Sequence, residues 1–253
     1  MTAPGRRTLV IPAHAKLNLD IAVLGVRTDG YHELRTRFQA ISLHDLLTIE
    51  PAATTSLEGG GPDDLVLRAH AALELAAGRP LPARFRLVKR IPAGAGLAGG
   101  STDAAATLRG LARLHGLDCD LHAIAAGLGA DVPFFLAGGA AVACGRGERL
   151  APAPSEAGWF AIAWPGFPLS TPAVFGRWDE VGGDGANELT RAAFDVEPRL
   201  AAFASALGEG WRMTGSGSAF FRRCATRAEA ERCATGLTCW TAVARPVGSW
   251  AAG

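Results

Sequence analysis

The sequence predicts a mixed fold of strands and helices in two parts, and three observations carry that expectation. Apolar and polar residues alternate with a period of two in several stretches, the mark of a half-buried strand. Apolar residues recur at helical spacing in others, closed by glycine. A Pro-rich stretch, APAPSEAG at 151–158, interrupts the pattern and reads as a linker, which divides the chain into 1–152 and 153–253. The length of 253 residues fits, since roughly 150 residues per domain predicts between one and two.

Taken in order, TLVIPAHAKLNLDIAVLGV (8–26) alternates across Lys16, Asn18 and Asp20, so Lys16 and Asn18 share one face. TDGYHEL turns at Asp29-Gly30, and FQAISLHDLLTIE (38–50) resumes strand character. A Gly-rich loop, 54–62, leads to a helix in DDLVLRAHAALELAAG that Gly78 ends. ARFRLVKRIPAG alternates again as a strand. After a glycine loop, STDAAATLRGLARLHG is a helix with Ser101 as N-cap, Asp103 in its first turn and Gly116 at its end. The following segment reads as a helix to Gly129, a turn at Asp131, and a buried strand over VPFFLAGGAAVAC. Gly145–Glu148 form a tight turn. Beyond the linker, MTGSGSA (213–219) lies between two strand-like segments as a hairpin turn or a binding loop.

Composition narrows the function. Twenty-five basic residues against 24 acidic leave a net charge of +1, no field for gathering phosphate backbones, so a nucleic-acid partner is not expected. Five cysteines at scattered spacing, without a CxxC pair, read as reduced thiols of a cytoplasmic protein. The start, MTAPGRRTLVIPAHAK, lacks a secretory apolar core. The charge-free stretch 157–176 contains Pro165, Pro168 and Pro172, so it is not read as a membrane span. All but two of the basic residues are arginine, and the exceptions are Lys16 and Lys89. Lysine is a compact point charge that fits beside one oxygen where a guanidinium fork does not, which singles out both positions.

The strongest chemical feature is PAGAGLAGGST, from Pro92 to Thr102, a glycine-dense loop running into a helix N-terminus. Amides at such an end make a phosphate site, and small side chains let phosphates approach; a flexible loop without a ligand is the alternative. It is not a Walker loop. Gly94, Gly96 and Gly99 match GxGxxG, but they come late in the chain and lack the acidic residue on a following strand that a dinucleotide site needs. Asp131 in GADVPFF is either a turn-capping aspartate or, if Lys16 lies beside it, a proton acceptor next to bound phosphates. His32 is a surface histidine or a ligand contact; Phe175 is a core residue or a ring that stacks on a base. The other histidines show no common spacing.

Together these residues resemble the GHMP small-molecule kinases, through AKLNL (Ala15–Leu19), the glycine loop with Ser101 and Thr102, and the TGSGS turn. Within that family, DGYHEL and GADVPFF are similar to the branch that phosphorylates a cytidyl-diphosphate ester of methylerythritol on its 2-hydroxyl, in the non-mevalonate isoprenoid route. The resemblance implies an α+β fold. Its N-terminal domain would be ribosomal-protein-S5-domain-2-like and its C-terminal domain ferredoxin-like, with the active site in the cleft between them. It implies Asp131 as the catalytic aspartate and Lys16 as its partner. The ATP phosphate loop would comprise Pro92, Ala93, Gly94, Ala95, Gly96, Leu97, Ala98, Gly99, Gly100, Ser101 and Thr102, with Mg²⁺ accompanying the nucleotide and its ligands unassigned. Lys89 and Asp64 fall near the adenine. Asn18, Tyr31, His32, Thr171 and Phe175 fall on substrate positions, the aromatics stacking on cytosine. A monomer or homodimer acting on a small molecule, with no membrane partner, is expected. Several positions depart from the family's usual residues: Ala98 for glycine, Asp64 and Asp103 for asparagine, and NEL at Asn187–Leu189 for NDL.

Overall fold

A computed structural model describes residues 8–250; the first seven residues of the segment tested above for a secretory core lie outside it. Ten strands and eight helices are laid down as β1 (Leu9–Val26), β2 (His32–Pro51), β3 (Ser56–Glu58), α1 (Leu65–Ala77), β4 (Ala83–Val88), α2 (Gly99–His115), α3 (Leu121–Leu128), α4 (Phe134–Ala137), β5 (Ala140–Gly145), β6 (Arg149–Pro152), β7 (Trp159–Trp164), α5 (Thr171–Val181), α6 (Thr190–Val196), α7 (Pro198–Leu207), β8 (Trp211–Met213), β9 (Phe220–Cys224), α8 (Arg227–Ala234) and β10 (Trp240–Ala244). They form two compact units, one drawn from 8–14, 44–91 and 99–137, the other from 15–43, 92–98 and 138–250.

In the first unit the end of β2 pairs antiparallel with β4, from Leu46↔Val88 to Pro51↔Ala83, and β3 runs parallel to β4. The alternation in ARFRLV is realised directly: Ala83, Phe85 and Leu87 are buried while Arg84 and Arg86 face outward. Helix α1 begins at Asp64, whose carboxylate accepts from the Val66 N–H, and ends at Gly78 in the left-handed region that a side chain would strain. Helix α2 buries an alanine-rich face, Ala104, Ala105 and Ala106, with Leu108 and Leu111. Gly110 completes that face, because a Cβ there would meet the Ile11 Cδ1 2.6 Å away and collide with that of Ile49.

The second unit holds the start of β2 paired with β5, β5 paired with β6, and a four-stranded antiparallel sheet in the order β10-β7-β9-β8. Its core gathers Ile21, Val23, Leu169, Val174, Leu189, Leu200, Met213 and Phe220. All five cysteines are free thiols. Among the described residues no helix is long and apolar enough to cross a membrane.

Four local expectations change. β2 begins at His32, inside the segment read as a turn, because the turn itself needs only residues 27–31. The loop 54–62 contains β3, three residues held by β4 rather than by their own propensity. Helix α2 begins at Gly99, so Ser101 sits within its first turn instead of capping it, and Asp103 lies one turn further in, buried. The apolar run VPFFLA is a turn and a short helix, α4, with the strand delayed to Ala140. Short apolar runs carry no period, so helix and strand are indistinguishable there.

Candidate active site

Alternation on β1 does place Lys16 and Asn18 on one face, and both are buried, at 4% and 5% exposure. The Lys16 ammonium donates to the Asn18 Oδ1 and stands 5.0 Å from the centroid of the Phe38 ring. Asn18 is fixed on its remaining sides: its side-chain NH₂ donates to the Thr36 hydroxyl at 2.8 Å, and its backbone N–H donates to the Thr214 hydroxyl at 2.8 Å. Thr36 in turn donates to the Asp20 carbonyl at 2.6 Å. A buried ammonium is costly unless hydrogen-bonded, and this network holds it in one geometry.

The glycine loop is docked in the same unit. The Lys16 N–H donates to the Leu97 carbonyl at 3.2 Å, the Ala219 N–H to Ala95 at 3.0 Å, and the Leu169 N–H to Gly94 at 3.2 Å. Gly96 has φ +79°, and a Cβ on it would collide with the Thr214 carbonyl and stand 3.0 Å from that of Gly217. Only glycine fits there. Ala98 takes the left-handed region too, at φ 57°, without being glycine. From Ala98 the chain enters α2, whose first turn brings the N–H groups of Gly99, Gly100 and Ser101, unpaired within the helix, together with the Ser101 and Thr102 hydroxyls. Pro92 and Ala93 lead into the loop. This donor set suits an anion.

The TGSGS turn closes a hairpin: β8 and β9 pair from Trp211↔Arg222 to Met213↔Phe220, and residues 214–219 span the end. Asn187 clamps it, donating to the Met213 carbonyl at 3.0 Å and to that of Gly215 at 2.9 Å. In the sequence Asn187 stands out only as part of NEL. A buried amide facing a Gly-Ser loop is visible only once the chain is folded.

Of the substrate positions, His32 and Phe175 come together, ring centroids 4.7 Å apart and 28° from parallel, with Trp178 edge-on to His32. Tyr31 is 54% exposed, and the Arg146 guanidinium lies 4.7 Å from its ring centroid. Thr171 opens α5, and its hydroxyl is 2.8 Å from that of Ser216. Trp178 and Arg146 were not expected; an isolated Trp or Arg in a helix or turn carries no sequence signal.

In the first unit, Asp131 lies on the turn before α4, anchored by the buried Val132, Phe134 and Phe135. Lys89 does not stand free for a nucleotide: its ammonium is paired with the buried carboxylates of Asp45 and Asp103, the latter at 2.6 Å. Burial works to lower the Lys89 pKa, but the two aspartates outweigh it and the net shift is upward. Burial pushes Asp103 up to about 7 despite Lys89, with Asp45 and Asp64 adding repulsion. One Asp103 oxygen, Oδ1, is buried without a hydrogen-bond partner. Asp64 is committed to capping α1.

Comparison with known proteins agrees with this arrangement. Residues 64–139 match the GHMP kinases N terminal domain. A 4-diphosphocytidyl-2-C-methyl-D-erythritol kinase from Rhodococcus jostii is 44% identical over 192 residues, which cover 71% of this chain and 62% of that relative. The Thermus thermophilus enzyme of the same name is 41% identical, over 90% of this chain and 92% of its own. A crystal structure of 4-(cytidine 5'-diphospho)-2C-methyl-D-erythritol kinase superposes with a TM-score of 0.81 at 38% identity, covering 95% of this chain and 99% of that one. On identity sustained over nearly the full length of a relative, together with the shared fold, the chain belongs to the family of 4-diphosphocytidyl-2-C-methyl-D-erythritol kinases, within the GHMP kinases.

Proposed function

We propose that this chain transfers the γ-phosphoryl group of ATP to the 2-hydroxyl of 4-diphosphocytidyl-2-C-methyl-D-erythritol. The observation that carries the reading is the glycine loop, clamped by backbone hydrogen bonds from Lys16, Leu169 and Ala219 and leading directly into the start of α2. Phosphoryl transfer through a loose transition state needs positioning and charge neutralisation more than a strong base, and this loop supplies fixed donors. Gly99 to Ser101 receive the phosphates on their N–H groups, and the Ser101 and Thr102 hydroxyls are the uncharged oxygens best suited to Mg²⁺ arriving with the nucleotide. Among the described residues no cluster of three or more acidic, His or Cys side chains makes a cage for a metal of its own.

Asp131 accepts the proton of the substrate hydroxyl as its oxygen bonds to phosphorus and the bond to the β-phosphate oxygen breaks, leaving ADP. Lys16, held by Asn18, offsets negative charge at the reacting phosphoryl. His32, Phe175 and Tyr31 receive the cytosine, and Thr171 borders that side. Lys89, engaged by two aspartates, serves the nucleotide by holding α2 in place. The two-part division near residue 152, action as a monomer or homodimer, and a cytoplasmic location belong to the same reading.

The test is ADP release from Mg-ATP by the purified protein with the cytidyl-methylerythritol substrate, beside mevalonate, homoserine and galactose. Turnover with the first alone, lost about 10²-fold or more in Asp131→Asn, is the expected outcome. Turnover with another acceptor, or unchanged turnover in Asp131→Asn, overturns the assignment.

A further inference from the structure

Asp179 has no part in the chemistry above, yet its placement is specific. It lies on α5 four residues after Phe175 and one after Trp178, so all three reach the same neighbour. That neighbour is His32, at the start of β2, with its side chain only 10% exposed. Phe175 stacks on its ring, Trp178 meets it edge-on at 5.7 Å and 90°, and the Asp179 Oδ1 is 2.7 Å from Nε2. The adjacent Glu33 carboxylate is turned elsewhere, to Arg27, Arg149 and the Gly145 N–H.

The three contacts do different things. Stacking and edge contacts fix the plane of an imidazole but do not distinguish the ring from its flipped form, which exchanges nitrogen with carbon at each position. A hydrogen bond does. An ionised carboxylate only accepts, so the hydrogen of this bond sits on Nε2, and in the neutral ring Nδ1 is left as a bare acceptor.

We infer that Asp179 is a positioning residue for base selection: by holding His32 as the Nε2–H tautomer it presents Nδ1 as an acceptor for an exocyclic amine. A cytosine offers that amine at C4. A uracil offers a carbonyl oxygen there, and two acceptors would face each other. This rests on the reading of His32 as the base contact given above. Its consequence is discrimination between two pyrimidines of nearly identical shape, which a stacking pocket alone does not achieve. A site built to bond one polar group rejects an analogue lacking it far more strongly than an apolar pocket rejects a missing methylene.

Steady-state kinetics with the cytidyl and uridyl forms of the substrate test this, alongside nitrogen-15 NMR of the His32 ring in the free protein. The wild type is expected to favour the cytidyl form by about 100-fold in kcat/KM. Asp179→Ala reduces that ratio about tenfold or more, chiefly through KM, and its His32 signals show hydrogen shared between both nitrogens. Asp179→Asn, whose side-chain oxygen still accepts from Nε2, keeps the ratio and the tautomer. An unchanged ratio in Asp179→Ala, or hydrogen on Nδ1 in the wild type, overturns the inference. A wild type inert toward the cytidyl form refutes the proposed function instead, and the NMR result still decides the role of Asp179.

Discussion

Asp103 is the residue whose environment departs furthest from the one its position in the sequence implies. As a first-turn aspartate it would be a solvated partner of the helix dipole; it is instead 1% exposed, with one oxygen bound to Lys89 and the other unpartnered. Burial favours its protonated form, which lifts its pKa from 3.8 to about 7. A carboxyl raised in the folded state binds more protons folded than unfolded across that interval. Its contribution to stability is therefore fully present below about pH 4 and is lost as pH rises toward 7. For one proton the slope is at most about 1.4 kcal/mol per pH unit. Asp103→Asn removes this dependence, so urea midpoints measured from pH 4 to 7 should show the variant gaining on the wild type as pH rises; parallel curves would contradict it. Lys89 was legible as unusual because only two lysines survive among the arginines, but its partners were not. Asp45 lies 44 residues away in sequence, and no local pattern reports such a contact.

Among the elements, the glycine loop 92–98 was the most legible, because glycine density before a helical pattern has few other uses. What the sequence did not disclose is what each glycine avoids. Gly96 avoids a backbone carbonyl, so Gly96→Ala meets both a left-handed φ and an immovable neighbour. We expect it to cost about 2–4 kcal/mol, combining backbone strain with displacement of the 214–219 turn, and to abolish most turnover. Ala98 is the converse: it already holds φ 57° against its own preference. Ala98→Gly relieves a strain of about 1–2 kcal/mol and loses somewhat less to chain entropy, for a net gain of about 0.5 kcal/mol. Thermal unfolding of the two variants beside the wild type measures both signs at once, and a stabilised Gly96→Ala would refute the docking. The misread elements were of another kind. β3 exists because β4 offers it a ladder, and the strand expected over VPFFLA is displaced by α4 because buried phenylalanines satisfy either geometry.

At the scale of the whole molecule, the proposed function assigns nucleotide binding and phosphoryl transfer to different stretches of chain, so the two should separate experimentally. The proposed phosphate donors lie in 92–102, whereas the proposed base, Asp131, lies beyond α3 on its own turn. The resemblance rests on motifs that, the TGSGS turn apart, lie before residue 150, where the glycine and Asp-Val-Pro patterns restrict the backbone. It was thin beyond, where the contacts are Asn187 to a carbonyl, Thr171 to Ser216 and Asp179 to His32, each an ordinary polar residue given meaning only by folding. A ligand that binds only the folded chain stabilises it by RT ln(1 + [L]/Kd), about 2.7 kcal/mol at one hundred times Kd. Mg-ATP should therefore raise the melting temperature of the wild type and of Asp131→Asn equally, since the aspartate acts on the acceptor hydroxyl and not on the nucleotide. Gly96→Ala should lose most of that rise even after its own lower starting point is subtracted, because its loop no longer presents the first-turn amides. The decisive comparison is Asp131→Asn: full thermal stabilisation by Mg-ATP with turnover suppressed about 10²-fold places the residue in proton transfer, whereas loss of the thermal shift makes it part of the nucleotide site and removes it from the role of base.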